Sequence, residues 1–416
     1  MLDVNGDRVR LQAHTLGTLR LAQVGGQAAI AGAAAVVSLL ARDLLGSDLL
    51  AGTAAAALTT GAAITMIPLA AIMRRRGRRP GLSAVLLIGA AGSLVAALGG
   101  QARWFPVFLL GMLLFGAGQA ATLQGRYVAA DLAGPASQAE AIAAIVWVGT
   151  LGAIFGPVLT PPEKWAAGAI GLAPLVGPFL FAAGFLGLAA TIVWSRLRPD
   201  PLAVLGAIDP DAPRVRPIRQ VRASSRVIGR SAGARLGLAA MAVSQAAMVG
   251  VMAMTPPHME DHGHDDLSAL VIAVHILGMF GLAPLVGRYV DRVGPVRAIQ
   301  VGAVVLGTGT VATVVAGYVP ALMFVGLFAL GLGWSIGLIG GSTVLTGSVP
   351  EWSRVEVQGT ADLAMSLSGA MAAFGSGLVK EAAGFHALAD GATALAAGLL
   401  VLAWITAARV PATART

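Results

Sequence analysis

Apolar residues run along this chain in long unbroken stretches, and polar residues gather in the short intervals between them. Crossing a bilayer core of about 30 Å takes about 20 apolar residues in a helix. By that ruler twelve segments read as membrane-spanning helices, near 18–41, 49–72, 81–100, 104–127, 138–160, 172–195, 234–256, 267–288, 297–317, 319–346, 356–379 and 386–408. A membrane barrel would instead show segments of about ten residues alternating in polarity. The expected class is an all-α membrane protein.

The longest polar interval is "RLRPDPLAVLGAIDPDAPRVRPIRQVRASSRVIGRSAGAR", Arg196 to Arg235. It divides the spans six and six. The expected organisation is an N-terminal six-helix bundle (1–195), a cytoplasmic linker (196–234) and a C-terminal six-helix bundle (235–416).

Composition agrees. Only 12% of the residues are charged, against about 25% in a soluble protein, which leaves too little polar surface for a water-facing body. A net charge of +8 would suit nucleic acid if the basic residues formed one patch. They lie in short clusters between apolar runs, so no nucleic-acid partner is expected; the expected partners are the lipid bilayer and, from the repeat and candidate residues taken up below, a small solute or metal ion. Basic residues favour the cytoplasmic side of a membrane. Arg8, Arg10, Arg74 to Arg79, the linker arginines, Arg288, Arg292, Arg297 and Arg409 share one side, against Arg42, Arg103, Lys164 and Lys380 on the other. Both termini are therefore expected in the cytoplasm. The excess of arginine over lysine points to a bacterial source, so the expectation is a multi-pass protein of an inner (plasma) membrane, taken as a monomer. The absence of cysteine excludes disulfides, cysteine zinc sites and iron–sulfur clusters. The early charges Asp3, Asp7, Arg8 and Arg10 do not fit a cleaved signal peptide.

A weak repeat connects the halves. "RRRGRRPG" (74–81) follows the second segment and "GRYVDRVGPVR" (287–297) follows the eighth. A repeated six-plus-six chain is a pattern of transporters that rock one half against the other around a midplane site. The stretch Gly287-x-x-x-Asp291-Arg292-x-Gly294 resembles the loop signature of the major facilitator superfamily. In the first copy Arg74 stands in place of the acid and Ala70 in place of the glycine. "GAIFGP", Gly152 to Pro157, is similar to that superfamily's Gly-Pro motif on helix five, without its trailing glycines. The resemblance spans essentially the whole chain. It implies the major facilitator fold, secondary active transport by alternating access, and a conformational-switch loop at Gly287, Asp291, Arg292 and Gly294.

Candidate chemistry concentrates in "MVGVMAMTPPHMEDHGHDD", Met248 to Asp266. Met248 and Met252 are four apart, so they share a face of the seventh segment. Pro256 and Pro257 are expected to end that helix. His275 and Met279 are likewise four apart on the eighth. At about 1.5 Å per residue the first pair lies about 6–12 Å below its helix end and the second about 12–18 Å below its start, so the depths meet. Thioether and imidazole without carboxylate suit Cu(I) better than Zn, Mg or Mn. The M-x-x-x-M and H-x-x-x-M pairs resemble the copper-importing, CcoA-like branch of the superfamily. By that resemblance Met248, Met252, His275 and Met279 are metal ligands and copper is the substrate, with no permanently bound cofactor. The same branch includes carriers of organic solutes, vitamins among them. Against the metal reading, methionine is a flexible core filler. A histidine inside the membrane is costly and points to function.

Met254, His258, Met259, His262 and His264 form a further metal-capture candidate on the outer side, with a solvated loop as the alternative. Asp362 reads either as a proton-coupling carboxylate or as half of a structural ion pair. Arg126 and Asp131 read as a gate or structural pair. No P-loop, catalytic triad or zinc-protease pattern is present, so no enzyme is expected. The expectation is a secondary transporter importing copper through the Met/His site; the alternative is a transporter of an organic solute, by drug efflux or by metabolite or vitamin uptake.

Overall fold

The computed structural model describes residues 4–45, 52–212, 216–261, 265–316 and 320–409. Among them there are helices and no strand. In chain order these are α1 (Val4–Leu45), α2 (Gly52–Arg76), α3 (Arg78–Gln101), α4 (Phe105–Ala130), α5 (Gln138–Ala169), α6 (Gly177–Arg196), the short α7 (Pro201–Val204), α8 (Pro217–Arg230), α9 (Ala232–Asp261), α10 (Asp265–Ile276), α11 (Ala283–Val293), α12 (Pro295–Ala316), α13 (Pro320–Gly347) and α14 (Arg354–Arg409).

Among the described residues, each of the twelve expected spans is largely helical. Ten described helices are long and apolar enough to cross a membrane, and α10 with α11 forms an eleventh, bent by 41°. A π-helical turn, Leu277–Gly281, lies at the bend. The last two spans are merged in α14, whose helical path breaks at Gly384 (φ 82°, ψ 171°). Positive φ is open to glycine because it has no Cβ.

Three boundaries differ from expectation. The first helix begins at Val4, not near 18. The fifth runs to Ala169, past its expected end at 160, and the seventh to Asp261, each through a Thr-Pro-Pro triplet; in the seventh the prolines were expected to end the helix. In each, the threonine hydroxyl donates one turn back: Thr160 to the Gly156 carbonyl at 2.8 Å, Thr255 to that of Val251 at 2.9 Å. Proline is tolerated in membrane helices where such side chains and neighbouring helices support the interrupted backbone. The linker also carries structure. In α8, Gln220, Ser224 and Ile228 are buried, while Arg219, Arg222, Arg226 and Arg230 face outward.

The chain divides into two compact units. Unit 1 is Met1–Leu132 with Val148–Val221, and unit 2 is Ala133–Trp147 with Arg222–Thr416. The start of α5 therefore belongs with unit 2. In unit 1, α3 and α4 pack backbone to backbone: a methyl at Gly92 would overlap the chain at Leu114 and Phe115. Without a hydrophobic drive between helices in lipid, such small-residue contacts supply the packing. In unit 2, α12 and α13 do the same where Gly309 meets Gly326 and Leu330.

Candidate functional site

Unit 2 holds the expected switch loop. Asp291, on the last turn of α11, accepts the backbone N–H groups of Ala139 (3.0 Å) and Glu140 (2.8 Å) at the start of α5. The first amides of a helix lack intrahelical acceptors and carry the positive end of its dipole, so a carboxylate is favoured there. Arg288 adds an exposed contact to Glu140 at 3.4 Å. Gly287 allows the approach, because a Cβ there would press on Ala143 and the Ala139 carbonyl. Gly294, at φ 84°, ends α11. A cavity of about 720 Å³ borders this loop, lined by Asp291, Arg297, Gln300, Ser348 and Trp404 among others.

The degraded first copy, in unit 1, uses different partners. Arg78 is fully buried and forks onto Asp131, Nε to Oδ2 at 2.8 Å and Nη2 to Oδ1 at 3.0 Å. Asp131 thus has a partner that the sequence reading, which set it beside Arg126, did not supply. Arg126 donates to the Leu123 carbonyl (2.6 Å) and to the Tyr127 hydroxyl (3.2 Å). Arg74, in the acid's place, pairs with Asp209 of the linker at 3.3 Å.

The Met/His quartet lies in unit 2. His275 is 1% exposed, and its Nδ1 sits 2.8 Å from the Leu327 carbonyl on α13. A carbonyl only accepts, so Nδ1 carries a proton, and in the neutral ring Nε2 is then the acceptor nitrogen. Nε2 is buried without a hydrogen-bond partner. Met279 packs on the same helix: a methyl on Gly331 would overlap the His275 carbonyl and meet Met279 Cγ at 3.2 Å. His275 and Met279 therefore share a face, directed at α13. Met248 is buried and Met252 half-buried on α9. Among the described residues no group of three or more His, Asp or Glu side chains is placed to hold a metal ion.

The outer capture site is corrected in part. Because α9 runs on to Asp261, Met259 packs in the apolar core of unit 2 instead of lying in a solvated loop, and Met254, within the expected seventh span, packs against that core. His258 is 6% exposed and stacks on Phe385, ring centres 4.2 Å apart. His262 and His264 lie outside the described residues. Asp362 is fully buried and engaged by a neighbouring group.

Two further features emerge from the structure. In unit 2 the Trp334 indole donates to Gln245 Oε1 at 2.8 Å, and Phe280 meets Trp334 edge-on at 5.5 Å. In unit 1 Glu163 is buried on α5, which runs past the expected helix end at 160.

Residues 21–373 match the sequence model of the Major Facilitator Superfamily. The chain belongs to that superfamily. It is accordingly a multi-pass membrane transporter and not an enzyme. Within the superfamily it is 34% identical over 380 residues to the MFS-type transporter YdeG of Bacillus subtilis (strain 168), covering 91% of this chain and 88% of YdeG. It is 31% identical over 331 residues to the riboflavin transporter RfnT of Brucella anthropi, covering 79% of each chain. The fold is similar to that of the E. coli fucose:proton symporter FucP, with a TM-score of 0.75 at 15% identity over 94% of this chain and 99% of FucP. These superfamily relatives do not support the copper-importing branch as this chain's place.

Proposed function

We propose that the chain is a secondary active transporter of an organic solute, with a flat heteroaromatic molecule of the riboflavin type as the first substrate to test. The observation that carries this is the likeness to RfnT, 31% identity across 79% of both chains. The group Trp334, Phe280 and Gln245 supports it. Aromatic faces with a few placed polar groups suit a flat ring with polar edges. The test is riboflavin uptake by cells that neither make riboflavin nor carry another importer. Growth on low external riboflavin only when this protein is present is expected. No rescue and no cell-associated flavin would overturn the riboflavin-type reading.

A second reading keeps copper as the substrate, favoured by one observation: Nε2 of His275 is buried with no hydrogen-bond partner. Total cell copper at low external copper, with and without the protein, separates the two. The organic reading expects no difference. The arginine distribution supports cytoplasmic termini, which reporter fusions at both ends would check.

A further inference from the structure

Glu163 is 3% exposed, and its Oε2 is buried with no hydrogen-bond partner. It lies between three helices of unit 1. A methyl on Gly32 of α1 would sit 3.5 Å from Oε2 and 3.9 Å from Oε1, and a Cβ on Gly177, at the start of α6, would press on the Glu163 carbonyl. The same stripe of α5 packs on α1 at Gly152 and Gly156, against Gln27 and Ala31. Glycine at position 32 thus leaves the carboxylate its room.

No cation compensates it among the described residues. On α1 there is no ionisable side chain between Arg20 and Arg42, and Gly32 lies ten positions from Arg42, about 15 Å along the helix. On α6 none occurs before Arg196. On α5 the neighbour is Lys164, half-buried on an adjacent face and not bonded to Glu163. An ionised carboxylate that is buried and unpaired is expensive, and in a membrane protein such a group is kept for use. A metal cation needs several oxygen ligands, and no second carboxylate reaches this place from α1 or α6. A proton needs only the one oxygen.

We propose that Glu163 is a proton-binding carboxylate of the transport cycle, taking a proton from water at one stage and returning it at another. This rests on the transporter reading above and adds the coupling ion to it. Asp362, the carboxylate that the sequence offered for this role, is engaged by a neighbour; Glu163 is not.

The experiment has two arms on purified protein. Infrared difference spectra between acidic and alkaline buffer report the carbonyl stretch of a protonated carboxyl and need no substrate. Glu163→Gln is expected to delete one such band. A spectrum identical to wild type would overturn the proposal. In proteoliposomes loaded with riboflavin, wild type is expected to accumulate riboflavin when the pH gradient is imposed, and Glu163→Gln only to exchange it at equal concentrations. Undiminished accumulation by the variant would also overturn the proposal. Glu163→Asp keeps a carboxyl, so it is expected to keep coupled uptake with a shifted pH profile, which excludes simple misfolding. If wild type moves no riboflavin at all, the substrate assignment fails while the infrared arm still decides the proton site.

Discussion

Asp291 holds the backbone of Glu140 through a 2.8 Å hydrogen bond, and with the second bond to Ala139 it fastens the end of α11 to the first turn of α5. The carboxylate is the feature a side-chain substitution reaches, because both donors are backbone N–H groups. Asp291→Ala leaves two helix-start amides without their acceptor. Losing charge-assisted bonds costs about 1.5–3 kcal/mol, and 1.4 kcal/mol is a factor of about ten. Initial uptake in proteoliposomes is therefore expected to fall about tenfold or more at equal protein content. An unchanged rate would mean that the loop is decorative.

The Arg78–Asp131 fork carries a different expectation, on stability. Breaking a buried pair from one side strands a charge and costs about 3–5 kcal/mol. Arg78→Ala should therefore lower the melting temperature in detergent markedly. Arg78→Ala with Asp131→Ala should recover part of the loss, since removing both partners strands nothing. A double variant as unstable as the single one would assign the effect to lost packing.

Gly331 tests the contact between α13 and the turn after α10. A side chain there meets the His275 carbonyl and Met279. Overpacking of this kind costs about 1–3 kcal/mol. Gly331→Val is expected to reduce the amount of monodisperse protein on size-exclusion chromatography, and Gly347→Val, which has open space around it, is expected to leave it unchanged. Equal behaviour of the two would show that the close approach is not limiting.

The quartet and the aromatic group separate the substrate readings. Under the organic reading, Met252→Leu leaves cell copper flat, while Trp334→Leu removes the indole that donates to Gln245 and lowers riboflavin uptake several-fold. The reverse result, with copper accumulation present and lost in Met252→Leu, would favour the metal.

The spans were legible because bilayer thickness imposes a length that sequence alone can be measured against. Asp291 was legible because its loop carries a local spacing. The partner of Asp131 was not, since Arg78 lies 53 positions away and only folding brings it near. Met259 was misplaced for a local reason. It follows a Thr-Pro-Pro triplet, and proline was read as a terminator as it would be in water. Neighbouring helices in the bundle support the interrupted backbone, so the helix continues and carries the next residues inward. The facing of His275 was also out of reach, because it depends on α13 and on the π-helical turn that follows.

The turn at Gly384 has a mechanical consequence. The two spans of α14 are joined by a single residue out of helical geometry, so the connection contains no slack. Neither span can slide past the other by a helical turn without pulling the second along. A shift of either span along its own axis is therefore passed on through Gly384 to the other.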